Sequence, residues 1–245
     1  MDFNLTEEQN AFADSVRKFA QKELADGALE RAHSHDYPWE IAAKLAEMGL
    51  IGITVKEEDG GIGGSLMDAV IAIQELALVC PKSADVVQAG NFGAIRTFAE
   101  YASPYLKDKY LPDLLAGKKL LALGMSEPGA GSSVTELKTS AVEEGDHYII
   151  NGSKVFSTHS PHADTFLIYV RFGEGLDGIG SVMIDLGTPG FEVGQPSAFM
   201  SGEEWCQLYF DNCRIPKENV LLGPGGFKKQ ISGFNVERIG NASRA

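Results

Sequence analysis

The sequence is poor in cysteine and contains no long apolar run. Its three cysteines, Cys80, Cys206 and Cys213, are odd in number and show no C-x-x-C spacing, which argues against a disulfide framework and a thiolate metal site. No run of about 18 apolar residues is present, and no basic and apolar leader precedes Asp2. We therefore expect a soluble, cytoplasmic protein without membrane insertion.

Basic residues are also scarce. The chain has 21 Lys and Arg against 34 Asp and Glu, which gives a formal net charge of −13. This negative charge repels nucleic acid and anionic membranes, so neither is an expected partner. At 245 residues the chain is long enough for one large or two small domains, because a domain usually has about 100 to 200 residues.

The first 119 residues carry helical signals. Thr6 with Gln9 forms a capping box ahead of an amphipathic segment that reaches about Leu24, and Ser65 with Asp68 forms a second capping box. We predict an N-terminal α-helical domain over residues 1–119.

Two further predictions concern segments within this helical region. Apolar periodicity predicts one helical stretch from about Ser83 to Tyr101. The glycine-rich segment 57–65, EEDGGIGGS, lacks a preceding strand, the G-x-G-x-x-G spacing and a Walker lysine. We interpret it as a flexible turn rather than a phosphate loop.

The apolar period changes to two after Leu120. Alternation is clear at 166–170 and 182–186, and Asn151-Gly152 is a strong hairpin signal. We predict a middle antiparallel β-domain over residues 120–225. Helical periodicity returns over 226–245 and continues to Ala245 without a cap, so we expect the incomplete start of a C-terminal helical domain. The predicted fold class is α+β, with several domains.

A glycine-containing loop joins these regions. The segment 121–133, LALGMSEPGAGSS, is a strand that runs into a loop whose Gly129 and Gly131 carry no side chains, so backbone N–H groups can approach a bound group closely. From composition alone, it is equally well a Gly/Pro connection between two elements.

The loop at Ser126–Ser133 resembles the TEPGAGSD signature of the acyl-CoA dehydrogenases. Further segments resemble that family in the same order along the chain, namely DFNLTEEQ, EEDGGIGG, YIINGSKVFST, F-x-N-C-R-I-P and LLG. Ser133 stands where the family has Asp, and the segment 199–203 lacks the family's G-x-R-x-S pattern.

The resemblance implies a function. It implies the cofactor FAD, an acyl-CoA substrate, α,β-desaturation within fatty acid metabolism, electron-transfer flavoprotein as acceptor and a homo-oligomer, either dimer or tetramer. Two alternatives stay open. One is a flavin monooxygenase or oxidase of the same fold, and the other is a non-catalytic subunit that shares a flavin with a partner.

The resemblance also assigns residues to the flavin. Met125 and Ser126 match positions that meet the flavin ring by backbone and by hydroxyl. Phe156 matches an aromatic that covers one flavin face, and Thr158 matches a hydroxyl near flavin N5. An aromatic residue in a strand usually packs in the core, which is the alternative for Phe156.

The remaining assignments concern substrate and base. Ser132 matches a position on the thioester and pantetheine channel, and Asn235 and Arg238 match positions near the substrate. Glu237 precedes Arg238 in an E-R-I segment that resembles the place where isovaleryl-CoA and long-chain acyl-CoA dehydrogenases carry their catalytic base. The alternative is that this Glu-Arg pair consists of solvated helix charges.

No metal site is predicted. His159 and His162 are spaced i, i+3, but no carboxylate ligand accompanies them in the sequence. The resemblance places the helix around Asp85 to Gly90 at the floor of the acyl pocket.

Overall fold

The computed structural model describes residues 4–244. Asp2 and Phe3 of the first motif, and Ala245, lie outside the described residues. The N-terminal part consists of helices joined by short connections, namely α1 (Glu7–Phe19), α2 (Ala28–His33), α3 (Trp39–Glu47), α4 (Leu66–Ala77), α5 (Pro81–Ala89), α6 (Ala94–Tyr101) and α7 (Pro104–Leu115). A π-helical turn, Ala20–Leu24, extends α1 to the predicted end of the first amphipathic segment.

Both predicted capping boxes are confirmed. The Gln9 amide donates to Thr6 Oγ1 at 3.1 Å while the Thr6 amide donates to Gln9 Oε1 at 3.0 Å. The Asp68 amide donates to Ser65 Oγ at 3.2 Å, and the Ser65 amide donates to Asp68 Oδ2 at 2.8 Å. Each box satisfies two backbone donors that would otherwise lack a partner at a helix start, so the local sequence fixes where α1 and α4 begin.

The predicted single helix from Ser83 to Tyr101 is wrong, because the structure has two helices there. The first, α5, ends at Ala89, and α6 begins at Ala94 after a break that includes Gly93. Gly93 has φ +67°, a left-handed conformation that glycine adopts without steric cost. Apolar periodicity alone did not reveal this break.

The middle part is one sheet with strand order β6-β8-β3-β2-β4-β5-β9, in which β1 pairs with β4 and β7 pairs with β8. Its strands are β1 (Leu121–Gly124), β2 (Ser140–Glu144), β3 (His147–Thr158), β4 (Thr165–Arg171), β5 (Ile179–Asp185), β6 (Phe191–Val193), β7 (Ser197–Ala198), β8 (Glu204–Pro216) and β9 (Val220–Leu222). Neighbours are antiparallel except at β1–β4 and at a single β2–β4 pairing, which are parallel.

The hairpin predicted at Asn151-Gly152 is wrong. Both residues lie inside β3, and the β2–β3 hairpin turns at Gly145-Asp146 instead. A Cβ on Gly152 would lie 2.6 Å from Thr139 Oγ1, and the strand register shifts at this point. The glycine therefore allows a close approach to a neighbouring segment rather than a turn.

The helical and β parts share a hydrophobic core. Buried side chains of α6 and α7, such as Phe98 and Tyr110, join those of the sheet, such as Leu167 and Met183, in one cluster. A second cluster lies among the helices and a third within the sheet. The site described below therefore lies between two parts that are packed against each other.

The last helix, α8 (Phe227–Ser243), packs closely on the first helical part. A Cβ on Gly233 would overlap Thr97 Oγ1, and one on Gly240 would lie 2.6 Å from a Phe92 ring carbon. The two glycines thus allow α8 to approach α6 and its preceding loop. Among residues 4–244, no helix is long and apolar enough to cross a membrane.

Candidate active site

A cavity of about 320 Å³ lies between α5, α6, α8 and the ends of β1 and β3. On the sheet side its wall is mainly apolar, formed by Leu121, Leu123, Met125, Val155 and Phe156. The opposite wall carries polar groups, formed by Gln88 on α5, by Glu237, Asn241 and Arg244 on or just after α8, and by Glu203 just before β8. A concave site with an apolar wall and convergent polar groups is typical of small-molecule binding.

Glu237 is positioned by three glycines. Gly233 and Gly240 lie four residues before it and three after it, so they share its face of α8 and turn that face toward the interior. Opposite, a Cβ on Gly93 would lie 3.2 Å from Glu237 Cδ, so the carboxylate occupies space that a larger residue would fill.

The carboxyl group of Glu237 has an unusual environment. Its Oε2 is buried and has no hydrogen-bond partner among the described residues. Burial raises the pKa of Glu237 to about 7, while the charges of His159, Arg244 and Arg238 oppose that rise. A carboxylate that titrates near neutral pH in a cavity is suited to proton transfer.

The loop beneath the cavity is held by a buried ion pair. Lys154 Nζ donates to Glu127 Oε1 at 2.8 Å and to the Met125 carbonyl at 3.2 Å. Glu127 also accepts the amides of Lys138 at 2.7 Å and Thr139 at 2.9 Å. Lys154 is fully buried, so this pair fixes the point where β1 enters the loop.

Both charges of this pair persist at neutral pH. Burial lowers the pKa of Lys154 to about 8, which still leaves most of the ammonium protonated. Burial opposes ionisation of Glu127, but the charge and hydrogen bond of Lys154 outweigh it and lower the pKa of Glu127.

The structure brings together the residues that the sequence assigned to the flavin. Met125, Ser126, Phe156 and Thr158 all line the cavity that contains Glu237. The hydroxyls of Ser126 and Thr158 have no hydrogen-bond partner within residues 4–244. Both groups are therefore available to a ligand.

Phe156 does not pack in the core of the β-domain. Its side chain is 57% exposed and its ring centroid lies 4.7 Å from that of Trp205. Its φ is +57°, a conformation that is uncommon for a bulky residue and that clusters at functional sites. The strand-core alternative for Phe156 is therefore wrong.

The three residues assigned to the substrate do not line this cavity. Ser132 is exposed on the loop. Asn235 and Arg238 are exposed on α8, where Arg238 Nη1 donates to Asn235 Oδ1 at 2.8 Å and the guanidinium lies over the Phe234 ring at 4.9 Å. Their roles toward a substrate stay predictions.

A charged cluster beyond Glu237 was missed by sequence reasoning. His159 Nε2 lies 2.5 Å from Asp85 Oδ2, and Arg244 donates to Asp85 Oδ1 and to Glu203 Oε2, the latter at 3.1 Å. The expectation that no carboxylate accompanies His159 is thus wrong, because the folded chain places Asp85 beside it. Its partner is 74 residues away in sequence, so no local pattern could reveal it.

The cluster has the composition of a metal site. One ligand atom each from Asp85, His159 and Glu203 lies within 4.8 Å of the others. Arg244 hydrogen-bonds to both carboxylates, so its guanidinium already supplies the positive charge that they face. Arg244 is therefore a counterion of both carboxylates in this structure.

Two family models match most of the chain. The model of the acyl-CoA dehydrogenase N-terminal domain matches residues 6–118, and that of the acyl-CoA dehydrogenase middle domain matches residues 122–213. Among solved structures, butyryl-CoA dehydrogenase from Megasphaera elsdenii is 31% identical, with a TM-score of 0.88 over 100% of this chain and 66% of its own. The FAD complex of PigA is 27% identical with a TM-score of 0.88, and the match covers 100% of this chain and 67% of that one.

Curated relatives agree with these matches. The short-chain specific acyl-CoA dehydrogenase of Clostridium acetobutylicum is 35% identical over 250 residues, covering 100% of this chain and 66% of the relative. The mitochondrial isovaleryl-CoA dehydrogenase of Oryza sativa subsp. japonica is 35% identical over 247 residues, which cover 97% of this chain and 59% of the relative. The chain thus spans 66% and 59% of the lengths of these two relatives. It belongs to the acyl-CoA dehydrogenase family.

Proposed function

We propose that this chain binds FAD and an acyl-CoA in the cavity that holds Glu237, and that it takes part in α,β-desaturation of the thioester. The observation that carries this proposal is the unpartnered, buried Glu237 Oε2 in the same cavity as the unpartnered hydroxyls of Ser126 and Thr158. A base and two hydrogen-bonding groups thus face one space.

The residues present fit a flavin. The exposed Phe156 ring and the apolar side chains of β1 offer a surface for a flat aromatic ring, and the two free hydroxyls offer hydrogen bonds to its polar edge. Met125 and Ser126 would hold the ring from the loop, and Thr158 would hold it from the end of β3. Bound FAD supplies the acceptor for the hydride that leaves the β carbon of the substrate.

Glu237 acts as the general base in this proposal. Its carboxylate accepts the proton from the α carbon, the β carbon loses a hydride, and the two carbons form a double bond. Because the pKa of Glu237 is about 7, a large fraction of its carboxylate is ionised at neutral pH and is still basic enough to accept a proton. Its free Oε2 needs no other hydrogen bond to break first.

The partners follow from the family resemblance. We propose electron-transfer flavoprotein as the electron acceptor and a homo-oligomer, either dimer or tetramer, as the assembly. The oxidase or monooxygenase and the non-catalytic subunit are the competing functions, and each gives a different result in the experiment below.

The proposed function is tested by anaerobic addition of straight and branched acyl-CoAs to FAD-loaded protein. We expect the visible absorbance of the flavin to fall and to stay low until an electron acceptor is added. Rapid recovery on admission of oxygen would identify an oxidase or monooxygenase. Retained FAD that no acyl-CoA bleaches would contradict the proposal and favour the non-catalytic subunit.

Flavin affinity should depend on the two free hydroxyls. We expect Ser126→Ala and Thr158→Val each to weaken FAD binding by about two- to tenfold, since a hydrogen bond contributes about 0.5 to 1.5 kcal/mol. The measurement is a fluorescence titration of the apoprotein with FAD. Ser132→Ala is the matched control, because Ser132 is on the same loop but outside the cavity, and it should bind FAD as the wild type does. Equal FAD affinities for the wild type and all three variants would contradict the proposal that Ser126 and Thr158 hydrogen-bond to the flavin.

A further inference from the structure

Strand β3 carries one extra residue where it reaches the cavity. Lys154 pairs with Leu208 of β8, and Ser157 pairs with Cys206. Three steps along β3 thus correspond to two along β8. This is a β-bulge, an irregularity that redirects side chains and is common next to active sites. Phe156 lies in the bulge, so the bulge determines where its side chain begins.

The backbone of the bulge is held on both sides of Phe156. The amide of Val155 donates to the carbonyl of Ser126 at 2.8 Å, and Ser157 Oγ donates to the carbonyl of Leu123 at 2.9 Å. Phe156 itself has φ +57°, and a residue keeps such a conformation only where its surroundings impose it. The two hydrogen bonds fix the main chain, but they do not by themselves fix the direction of the Phe156 ring.

The ring of Phe156 is in contact with Trp205. The two ring centroids lie 4.7 Å apart and the rings are inclined at 58°, an arrangement in which aromatic pairs attract each other. Trp205 is on β8 directly opposite Thr158, and opposite residues of an antiparallel pair share one face of the sheet. Trp205 therefore lies beside both residues of β3 that are proposed to contact the flavin, although it does not line the cavity itself.

Phe199 adds a third ring to this group. Its centroid lies 6.1 Å from that of Trp205. In the turn between β7 and β8, the Phe199 amide donates to the Glu203 carbonyl at 2.9 Å, and its carbonyl accepts the Gly202 amide at 3.0 Å. This turn is the segment 199–203, which lacks the G-x-R-x-S pattern of the family. In this chain the segment thus brings an aromatic side chain to Trp205.

The Phe156 ring has a second surface that Trp205 does not cover, because its side chain stays 57% exposed and lines the cavity. We propose that Trp205 is a positioning residue that holds the Phe156 ring in the orientation in which it covers the flavin. This inference rests on the proposed function, since it takes the flavin to lie against Phe156. In this proposal Trp205 acts only through Phe156.

The test is a double-mutant cycle on FAD affinity, measured from the release of FAD when the loaded protein is diluted. We expect Trp205→Leu to weaken FAD binding by about two- to tenfold, the usual contribution of an aromatic pair, and Trp205→Phe to keep most of the wild-type affinity. Phe156→Leu should weaken binding by at least as much as Trp205→Leu. Because Trp205 acts through Phe156, the double variant should lose no more than Phe156→Leu alone.

A spectrum and a control variant separate positioning from loss of structure. The visible circular dichroism of bound flavin arises from the asymmetric surroundings of its ring. At saturating FAD, Trp205→Leu should therefore change this dichroism and Trp205→Phe should retain it, whereas lower stability alone would leave it unaltered. Tyr209→Leu is the matched control, because Tyr209 is a 42% exposed aromatic residue of β8 that does not line the cavity. It should bind FAD as the wild type does.

The outcomes separate this inference from the proposed function. If Phe156→Leu weakens FAD binding and Trp205→Leu does not, the flavin placement stands and the positioning role is wrong. Additive losses in the double variant would show that Trp205 acts independently of Phe156, which would also overturn the inference. If Phe156→Leu changes neither affinity nor dichroism, the flavin does not lie against Phe156, and the placement fails together with the inference. Bleaching of the wild-type flavin by an acyl-CoA tests the desaturase function separately.

Discussion

Glu237→Gln is expected to slow flavin reduction by an acyl-CoA by a factor of about 10² to 10⁴, which is the usual contribution of a positioned general base. The glutamine keeps the size of the side chain and cannot accept the α proton. FAD should stay bound, because the flavin contacts proposed above lie on the loop and on β3. Stopped-flow measurement of absorbance loss after mixing with acyl-CoA gives the rate.

The pH dependence of flavin reduction gives an independent test of Glu237 as the base. Burial raises the pKa of Glu237 to about 7, and only the ionised form can accept a proton. The rate of flavin reduction should therefore rise with pH, reach half of its maximum near pH 7 and level off about one pH unit above that, and Glu237→Gln should abolish this rise. Glu218→Gln, an exposed acid outside the cavity, serves as the control. A Glu237→Gln protein reduced at the wild-type rate would end the assignment.

Local patterns predicted the helical elements well. The capping boxes at Thr6 and Ser65 act between residues three apart, so the sequence contains the whole interaction. The failure at Asn151-Gly152 has the opposite origin. Gly152 is required there because the side chain of Thr139, in a neighbouring segment, leaves no room for a Cβ. A dipeptide pattern cannot show which segment will be its neighbour.

The candidate site was predictable only in part. The resemblance placed Ser126, Phe156, Thr158 and Glu237 on separate segments, and the structure brings them to one cavity. The charged cluster was not predictable, because Arg244 lies 159 residues from Asp85. Charged side chains at such separations give no periodic signal.

One signal in α8 is contained in the sequence itself. Gly233 and Gly240 mark the helix face that packs closely, and Glu237 lies between them on that face. Asn235 and Arg238 lie off that face and are exposed. The spacing of small residues along the helix therefore separates the inward Glu237 from its outward neighbours, a distinction that the Glu-Arg pair alone does not make.

Lys154→Met is expected to lower the free energy of unfolding by about 3 to 5 kcal/mol, the usual effect of removing one partner from a buried ion pair. The substitution keeps most of the apolar stem but leaves the Glu127 carboxylate, only 8% exposed, without its ammonium partner. It also releases the Met125 carbonyl, so FAD binding should weaken together with stability. Urea denaturation measures the first effect and FAD titration the second.

The double variant Glu127→Gln/Lys154→Met distinguishes an uncompensated charge from simple loss of packing. The amides of Lys138 and Thr139 donate to different oxygens of Glu127, so glutamine, with one acceptor oxygen, keeps one of these hydrogen bonds while it removes the buried negative charge. The double variant should therefore be more stable than Lys154→Met alone. Lys217→Met, which breaks the exposed pair with Glu143, should unfold as the wild type does, because solvent screens that pair. If the double variant were no more stable than Lys154→Met, the cost would lie in packing, and the ion pair would not be what holds the loop.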